Sequence, residues 1–394
     1  MSRLWDKGAP LDERVLRYTA GEDYALDERL VPYDIRASLA HAQMLHAQRL
    51  LSQADLEAIR AGLAALQAGH AAGAWHVELA DEDGQTALER RLTERIGEAG
   101  GRIHLGRSRN DQVLAALRLY LKDAIAELAT GTTQAADALD ALAARAGDVA
   151  LPGYTHLQQA MPSSVTLWAG GFAAELRDDA EGLGQVARRA DRNPLGSAAG
   201  YGTPGLPLDR EATRAALGFA TVHDPVTAVQ LSRGKAESQL LFEVTLLMQD
   251  LGRLAADVLL FVTSEFAFAS LGEAFTTGSS IMPQKRNPDV FELIRGRSAT
   301  ALGCLTEALA VCAKLPSGYH RDLQLLKFPL FRGIDLALQT LAIVPAALAT
   351  LTFNPAAIRL DDSIHAAEEA NRLVVREGIP FREAYRRVAA RLKR

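Results

Sequence analysis

The 394-residue sequence predicts an all-α protein. Ala and Leu dominate it and aromatic residues make up only 6%, which favours helices over strands. Helical patterns of roughly 25 to 40 residues occur five times, each much longer than the usual three-turn helix. Several are apolar on more than one face, and long helices of that kind bury themselves in a bundle, often between subunits. No repeat of solenoid length recurs along the chain.

In chain order, residues 35–70 read as two helices. Ser52 is the N-cap of the second, in "SQADLEAIRAGLAALQAG", and Gly69 its stop. "TALERRLTERIG" (86–97) makes a short helix. The five long patterns run from about Asp111 to Ala150, Ser163 to Arg192, Ala236 to Ala269, Asp289 to Ala313 and Leu330 to Leu351. Polar segments of unusual composition stand at their ends: "GRIHLGRSRND" (101–111), "LPGYTHLQQAMPSS" (151–164), "RNPLGSAAGYGTPGLPLDRE" (192–211), "GSSIMPQKRNPD" (278–289) and "KLPSGYHRDLQLLKFPL" (314–330). Helix ends meet in a bundle, so these segments are candidates for one site.

The bulk composition is that of an ordinary globular chain, 48% hydrophobic and 23% charged. A net charge of -5 gives no reason to expect nucleic acid or an anionic membrane as partner. Cys304 and Cys312 lie in an apolar helical stretch without CxxC spacing. They read as reduced core thiols of a cytoplasmic protein, not as metal ligands. "MSRLWDKGAPLDERV" lacks the apolar run of a secretory signal. "LAIVPAALATLTF" is short for a membrane span and contains Pro345.

"GSSIMPQKRNPD" suits neither helix nor strand. Gly278 is free to take positive φ, and the N–H groups after it can form an anion nest beside Ser279. Lys285 and Asn287 add a cation and an amide, and Pro288 suits the first turn of the helix that follows. A serine among such donors can act as a base. Composition alone favours a rigid connector with a capped helix start. Thr155 and His156 stand between a Gly-Tyr turn and a Pro, a place for a catalytic or a merely hydrogen-bonding histidine. Arg107, Ser108, Arg109 and Asn110 open a long helix, where the macrodipole favours a carboxylate or a solvated charge cluster. Tyr319, Gln324 and Lys327 share a polar stretch before Pro329, which alone reads as a surface loop.

Taken together, these segments resemble the argininosuccinate lyase family of the fumarase/aspartase superfamily. The loop carries the superfamily signature GSSxMPxKxN, and Glu292 completes its longer form. "HLGRSRNDQ", "PGYTHLQ", "PLGS" and "YHRDLQLLK" mark the family, beside "LVPYDIRASLAHA" and "REGIPFREAY". The resemblance runs from about Leu4 to Ala384. It implies reversible cleavage of argininosuccinate to arginine and fumarate through an aci-carboxylate, without cofactor or metal. It implies an elongated subunit with an N-terminal helical domain (1–108), a central bundle domain (109–355) and a short C-terminal helical domain (356–394). Four such subunits would form a twenty-helix core, with each active site shared by three of them.

By the resemblance Ser279 is the base, and Lys285, Asn287 and the loop N–H groups stabilise the intermediate. Ser108, Arg109 and Asn110 hold carboxylates on the fumarate side. Thr155 and His156 stand at the succinyl side, His156 paired with Glu292, and either is a candidate proton donor to the leaving nitrogen. Tyr319, Gln324 and Lys327 match positions that grip the arginine portion.

The sequence departs from the family in four places. Gln85 stands where a substrate-contacting His is usual, in "EDGQTALE", and Asp23 where a substrate-contacting Ser is usual, in "TAGEDYALDERL". "PVTAVQLSRGKAE" replaces a usual segment, with Arg233 in place of the usual Arg at altered spacing. The chain stops soon after "PFREAYRRVAARLKR", giving a short C-terminal domain. The first three touch substrate recognition while the elimination loop is intact. The second reading is therefore a sister C–N lyase releasing fumarate from another N-substituted aspartate. A catalytically silent relative, as the related lens crystallins are, is the third.

Overall fold

The computed structural model describes residues 12–392; the charged opening segment (1–11) and residues 393–394 lie outside them. The described chain is all-α apart from short strands. Helices α1 (Glu13–Ala20), α2 (Asp23–Asp27), α3 (Val31–Ala47), α4 (Gln53–Ala71), α5 (Gly84–Ile96) and α6 (Glu98–Gly101) precede the first long helix, α7 (Arg109–Ala146). Strands β1 (Ala150–Thr155) and β2 (Gln158–Ser164) form an antiparallel hairpin before α8 (Val165–Ala190). The two-residue strand β3 (Arg192–Asn193) pairs in parallel with β4 (Thr221–Val222), with α9 (Arg210–Leu217) between them. Then follow α10 (Val226–Leu231), α11 (Lys235–Phe261), strand β5 (Ala269–Ser270), α12 (Asp289–Cys312) and α13 (Lys327–Thr350). Strand β6 (Thr352–Phe353) pairs with β5, and α14 (Ala366–Glu377) and α15 (Phe381–Leu392) end the chain.

The helix boundaries have local causes. Ser52 caps α4 through its Oγ, which accepts from Asp55 N at 3.1 Å. The helix does not stop at Gly69. It continues to Ala71 and the chain turns away at Gly73, φ +69°. Gly69 instead makes room for an indole: a Cβ there would lie 3.2 Å from Trp75 Cδ1. Helix α11 ends at Phe261, short of the predicted Ala269. Beyond it Thr263 Oγ1 donates to Leu260 O at 2.8 Å and accepts from Phe266 N at 3.3 Å. Such a local bond competes with the helical ladder, and Ala267 then takes φ +50°. Counted with the 3-10 turn before it, α13 forms a helix from Arg321 to Thr350. That is longer than the apolar stretch read from the sequence, and long and apolar enough to cross a membrane by composition alone. Its Leu330, Phe331, Ile334 and Leu341 are nevertheless buried within the chain.

The chain divides into two compact units. One comprises residues up to Leu128, Gly182–Val244 and Ala301–Asp335; the other comprises Ala129–Glu181, Thr245–Thr300 and the rest from Leu336. In the first, α3, α4 and α5 enclose a core of Ile35, Leu45, Ile59, Leu63, Leu88 and Leu92; each such burial contributes about 1.5–3 kcal/mol. There too α13 approaches α11 closely at Gly333, where a Cβ would fall 2.3 Å from Leu241 Cδ2. In the second unit Trp168 packs edge-on to Phe261 and Phe353, centroids 5.3 and 5.9 Å apart, and its Nε1 donates to Asp257 at 2.9 Å. Helices α14 and α15 share a small core of Ala370, Leu373, Ala384 and Val388.

Candidate active site

The start of α7 is built from side chains that the motifs bring together. Ser108 is its cap: Oγ accepts from Asn110 N at 3.3 Å. Asp111 reaches back to Ser108 N (2.9 Å) and across to Gly196 N (3.1 Å) and Ala198 N (2.8 Å). "GRSRND" and "PLGS" are thus one structure. Burial pushes the Asp111 carboxyl up to about 6, against these N–H donors, which favour the charge. Behind the helix, Arg107 is buried rather than turned to a ligand. It donates to Ser38 Oγ at 2.7 Å, and Gln112 Nε2 donates to both oxygens of Asp34 at 2.9 and 3.0 Å. Burial raises Asp34 to about 6, with Arg107 opposing. This network explains why "LVPYDIRAS" and "HLGRSRNDQ" occur together.

His41 fixes the same loop. Its Nε2 donates to Leu105 O at 2.8 Å, and the ring is fully buried. Burial, then Arg107, pushes its pKa down to about 3. The folded ring therefore stays neutral while the unfolded one protonates, so stability is lost as pH falls below about 6.5. The expected slope from this group is about 1.4 kcal/mol per pH unit. Urea unfolding across pH 4–7, wild type against His41→Gln, measures it as the pH dependence of the difference. A flat difference would refute the buried neutral ring.

Beside the start of α7 lies a polar cleft lined by Gln85, Arg109, Asn110, Arg233, Tyr319, Gln324 and Lys327, with Asp23, Asp83 and Arg321. These are all the substrate-binding residues the sequence singled out except Ser108, which caps the helix. Arg109 Nη1 donates to Asp83 Oδ2 at 2.7 Å, and Asp83 is also the N-cap of α5, accepting from Thr86 N at 2.8 Å. Gln324 Nε2 donates to Thr19 O and Ala20 O at 3.0 and 3.2 Å. Among the described residues, two buried groups keep donors without a hydrogen-bond partner here: Gln85 Nε2, and Nε and Nη1 of Arg233. Among the described residues, the ion-pair partner of Arg233 is Glu237, with Oε1 at 3.8 Å. Unsatisfied buried donors are costly, which fits groups held for an anionic ligand.

Lys327 is fully buried. Its Nζ lies 2.5 Å from Asp27 Oδ1 and 2.8 Å from Asp23 Oδ1. Burial works against the ammonium, yet Asp27 and Asp23 outweigh it and keep its pKa above the ordinary lysine value.

A larger cavity of about 630 Å³ lies between α7, α10 and α11; residues of the "PVTAVQLSRGKAE" segment line it, but none of the candidate catalytic or substrate-binding residues does. The Arg118 guanidinium there bonds Arg192 O, His223 Nδ1 and Ser232 Oγ at 2.7–2.9 Å, a structural role. The candidate substrate-binding residues line the smaller cleft instead.

Thr155 and His156 lie at the tip of the β1–β2 hairpin, not after a Gly-Tyr turn. Gly153 and Tyr154 are within β1, at a register shift. The turn is His156–Leu157, φ +53° and +58°, the pattern of a primed hairpin turn, which normally calls for Asn or Gly. Two L-residues held there store strain, a mark of functional sites. The tip is exposed. Gln159 anchors the hairpin through Arg359 O and Asp361 N, both at 2.9 Å.

The 278–288 loop is closed at its base by Thr277 and Asn287, whose N–H groups bond each other's carbonyls at 3.0 and 2.8 Å. Inside it Ser279 Oγ accepts from Ile281 N (3.4 Å) and Met282 N (3.3 Å). Asn287 Nδ2 donates to Gly278 O at 3.3 Å. Gly278 does not adopt the positive φ open to it, so the N–H cradle comes from the serine turn. Pro288 precedes α12 as its cap, its carbonyl accepting from Phe291 N at 3.0 Å. Lys285 and Glu292 are exposed. Among the described residues, no ion pair joins His156 to Glu292 within the chain.

A lyase family model matches residues 14–303. The argininosuccinate lyase of Sorangium cellulosum (strain So ce56) is 48% identical over 392 residues, covering 99% of this chain and 90% of that protein. The chain belongs to the argininosuccinate lyase family. Another family member, the argininosuccinate lyase of Xanthomonas euvesicatoria pv. vesicatoria (strain 85-10), is 45% identical over 390 residues, 98% of this chain and 89% of its own. Among solved structures, EDDS lyase in complex with formate is similar at 27% identity and TM-score 0.83, covering 97% of this chain and 76% of that one. A fumarate lyase:delta crystallin from Brucella melitensis bound to cobalt, 18% identical with TM-score 0.77 over 98% of this chain and 87% of its own, shares the fold.

Sequence reasoning missed Asp27, Asp83, Asp111 and Arg321. All four lie inside or beside quoted motifs, but an acid or an arginine near a helix start looks like a solvated charge until its partners are seen.

Proposed function

We propose that the chain cleaves argininosuccinate reversibly into arginine and fumarate as a carbon–nitrogen lyase. The observation that carries this is the cleft where Gln85, Arg109, Asn110, Arg233, Tyr319, Gln324 and Lys327 converge from distant parts of the chain. Among the described residues, donors of Gln85 and Arg233 that make no hydrogen bond suit carboxylates. In the loop, Ser279 Oγ accepts from two backbone N–H groups. Such donors favour the alkoxide, the form able to take a proton from carbon. Ser279 removes the Cβ proton, and the electron pair passes into the neighbouring carboxylate as an aci-carboxylate. Lys285, Asn287 and loop N–H groups meet that developing charge. The Cβ–Cα double bond then forms as the C–N bond breaks, and the departing guanidine nitrogen gains a proton from the Thr155–His156 tip. Incubated with argininosuccinate, the protein is expected to release fumarate and arginine in equal amounts. Fumarate released without arginine from other N-substituted aspartates alone would favour the sister-lyase reading.

The reading includes a homotetramer in the cytoplasm, with Ser279, His156 and the cleft residues of one site drawn from different subunits. The exposed hairpin tip, the exposed loop, and exposed Leu293, Leu302 and Leu309 along α12 support surfaces meant for other copies. Both cysteines are free thiols, as in a reducing compartment. Subunit sharing makes a specific prediction. Ser279→Ala and Arg109→Met are each expected to be inactive, yet tetramers reassembled from a mixture regain part of the activity. No recovery from well-mixed tetramers would mean that each site lies within one chain.

A further inference from the structure

We infer that Asp23 is a specificity-determining residue, whose carboxylate receives the α-ammonium group at the amino-acid end of the substrate. The inference rests on the argininosuccinate reading and adds the residue that tells an amino acid from its deaminated analogue.

The buried cluster holds one cation, Lys327, and two carboxylates, Asp27 and Asp23, with Nζ–O distances of 2.5 and 2.8 Å. Asp27 is fully engaged, since its other oxygen accepts from Gly84 N at 2.9 Å and the residue has no exposed surface. It does not line the cleft. Asp23 does. The surplus negative charge therefore belongs to the carboxylate that faces the ligand.

No other cation of the cleft takes it up. Arg109 is paired with Asp83 at 2.7 Å. Arg321 donates to Thr19 O at 3.0 Å with Glu82 at 3.8 Å. Arg233 has Glu237 at 3.8 Å. Among the described residues, Lys327 is the one cation within ion-pair distance of Asp23. The charged groups around Asp23 are Lys327, Asp27 and Asp83, and burial, the largest influence, raises its carboxyl to about 7. A buried carboxylate without its own counter-charge is costly, and a ligand cation offsets that cost.

The geometry also revises what Lys327 does. In a cluster with one lysine and two acids, an incoming carboxylate meets net negative charge at this end. The succinyl carboxylates belong instead near Arg233 and Arg109. Of the cationic groups in argininosuccinate, the guanidinium lies at the bond being broken, whereas the ammonium lies at the end matched by Tyr319, Gln324 and Lys327. The ammonium is the group for Asp23.

The test compares two ligands and two proteins. Calorimetry measures binding of L-arginine and of 5-guanidinopentanoate, which lacks only the α-amino group, to the wild type and to Asp23→Asn. The wild type is expected to prefer arginine by about 10- to 100-fold, the range of a hydrogen bond between charged groups. Asp23→Asn is expected to lose that preference while its affinity for 5-guanidinopentanoate holds or rises. In turnover, KM for argininosuccinate rises and kcat changes little. Lys327 keeps Asp27 in this variant, so folding is not at stake. Equal weakening of both ligands, or an unchanged preference, would overturn the role of Asp23. A wild type that neither binds arginine nor releases fumarate from argininosuccinate would instead overturn the functional reading itself.

Discussion

Replacing Ser279 by Ala is expected to lower kcat by roughly 10²- to 10⁴-fold, the range of a positioned general base. KM and substrate affinity should stay within a few-fold of the wild type. The expectation follows from how the loop is built. Its base is closed by the Thr277–Asn287 backbone pair, which no change at Ser279 touches. What the substitution removes is Oγ, the acceptor for Ile281 N and Met282 N. Those N–H groups then stay available for the developing carboxylate charge, so binding survives while proton removal does not. An effect on kcat alone is the signature of an interaction used only in the transition state. Fumarate absorbance gives kcat, and calorimetry gives affinity. Activity within two-fold of wild type would remove Ser279 as the base, and a loss of affinity matching the loss of rate would make it a binding group.

The second large effect is on stability. Lys327→Met is expected to cost about 3–5 kcal/mol, because it leaves two buried carboxylates without their cation. Burial already raises both Asp23 and Asp27 against the lysine's attraction, so removing the lysine forces them to take up protons. The control is the same change in an Asp23→Asn, Asp27→Asn background, where removing the lysine leaves no carboxylate without its cation. The amide oxygen introduced by Asp27→Asn can still accept from Gly84 N, and the cost should fall well below that in the native background. The difference between the two costs is the coupling energy of the cluster. Chemical unfolding of the four proteins measures it, and equal costs in both backgrounds would show that packing, not charge, makes Lys327 matter.

These residues also show what a reader of the sequence can and cannot see. The five long helices were legible because apolar periodicity over many turns is hard to mimic. Their ends were less so. Gly69 looks like a stop signal until Trp75 is seen filling the space beside it, and Thr263 ends α11 through bonds that the apolar pattern does not encode. The β1–β2 hairpin reads in the sequence as a polar segment with a Gly-Tyr turn because it contains Gly and two prolines and few β-branched residues. Its turn, His156–Leu157, also lacks the Asn-Gly or Asp-Gly pair that usually announces such a turn. The motif residues of the cleft were legible through the family resemblance, whereas composition left the 278–289 loop open to a purely structural reading. Asp27, Asp34 and Asp111 were hidden for a different reason. Nothing in a local sequence says that a helix-face acid is buried, and their roles depend on partners tens or hundreds of residues away.

Substrate identity is decided by kcat/KM for fumarate release by the purified protein from argininosuccinate, beside adenylosuccinate and simple N-alkyl aspartates. For argininosuccinate a value within the ordinary enzymatic range of about 10⁴–10⁸ M⁻¹s⁻¹ is expected, far above the others, with Gln85 and Asp23 acting as working variants of the family's site. No release from argininosuccinate by folded protein, or faster release from another N-substituted aspartate, would contradict it.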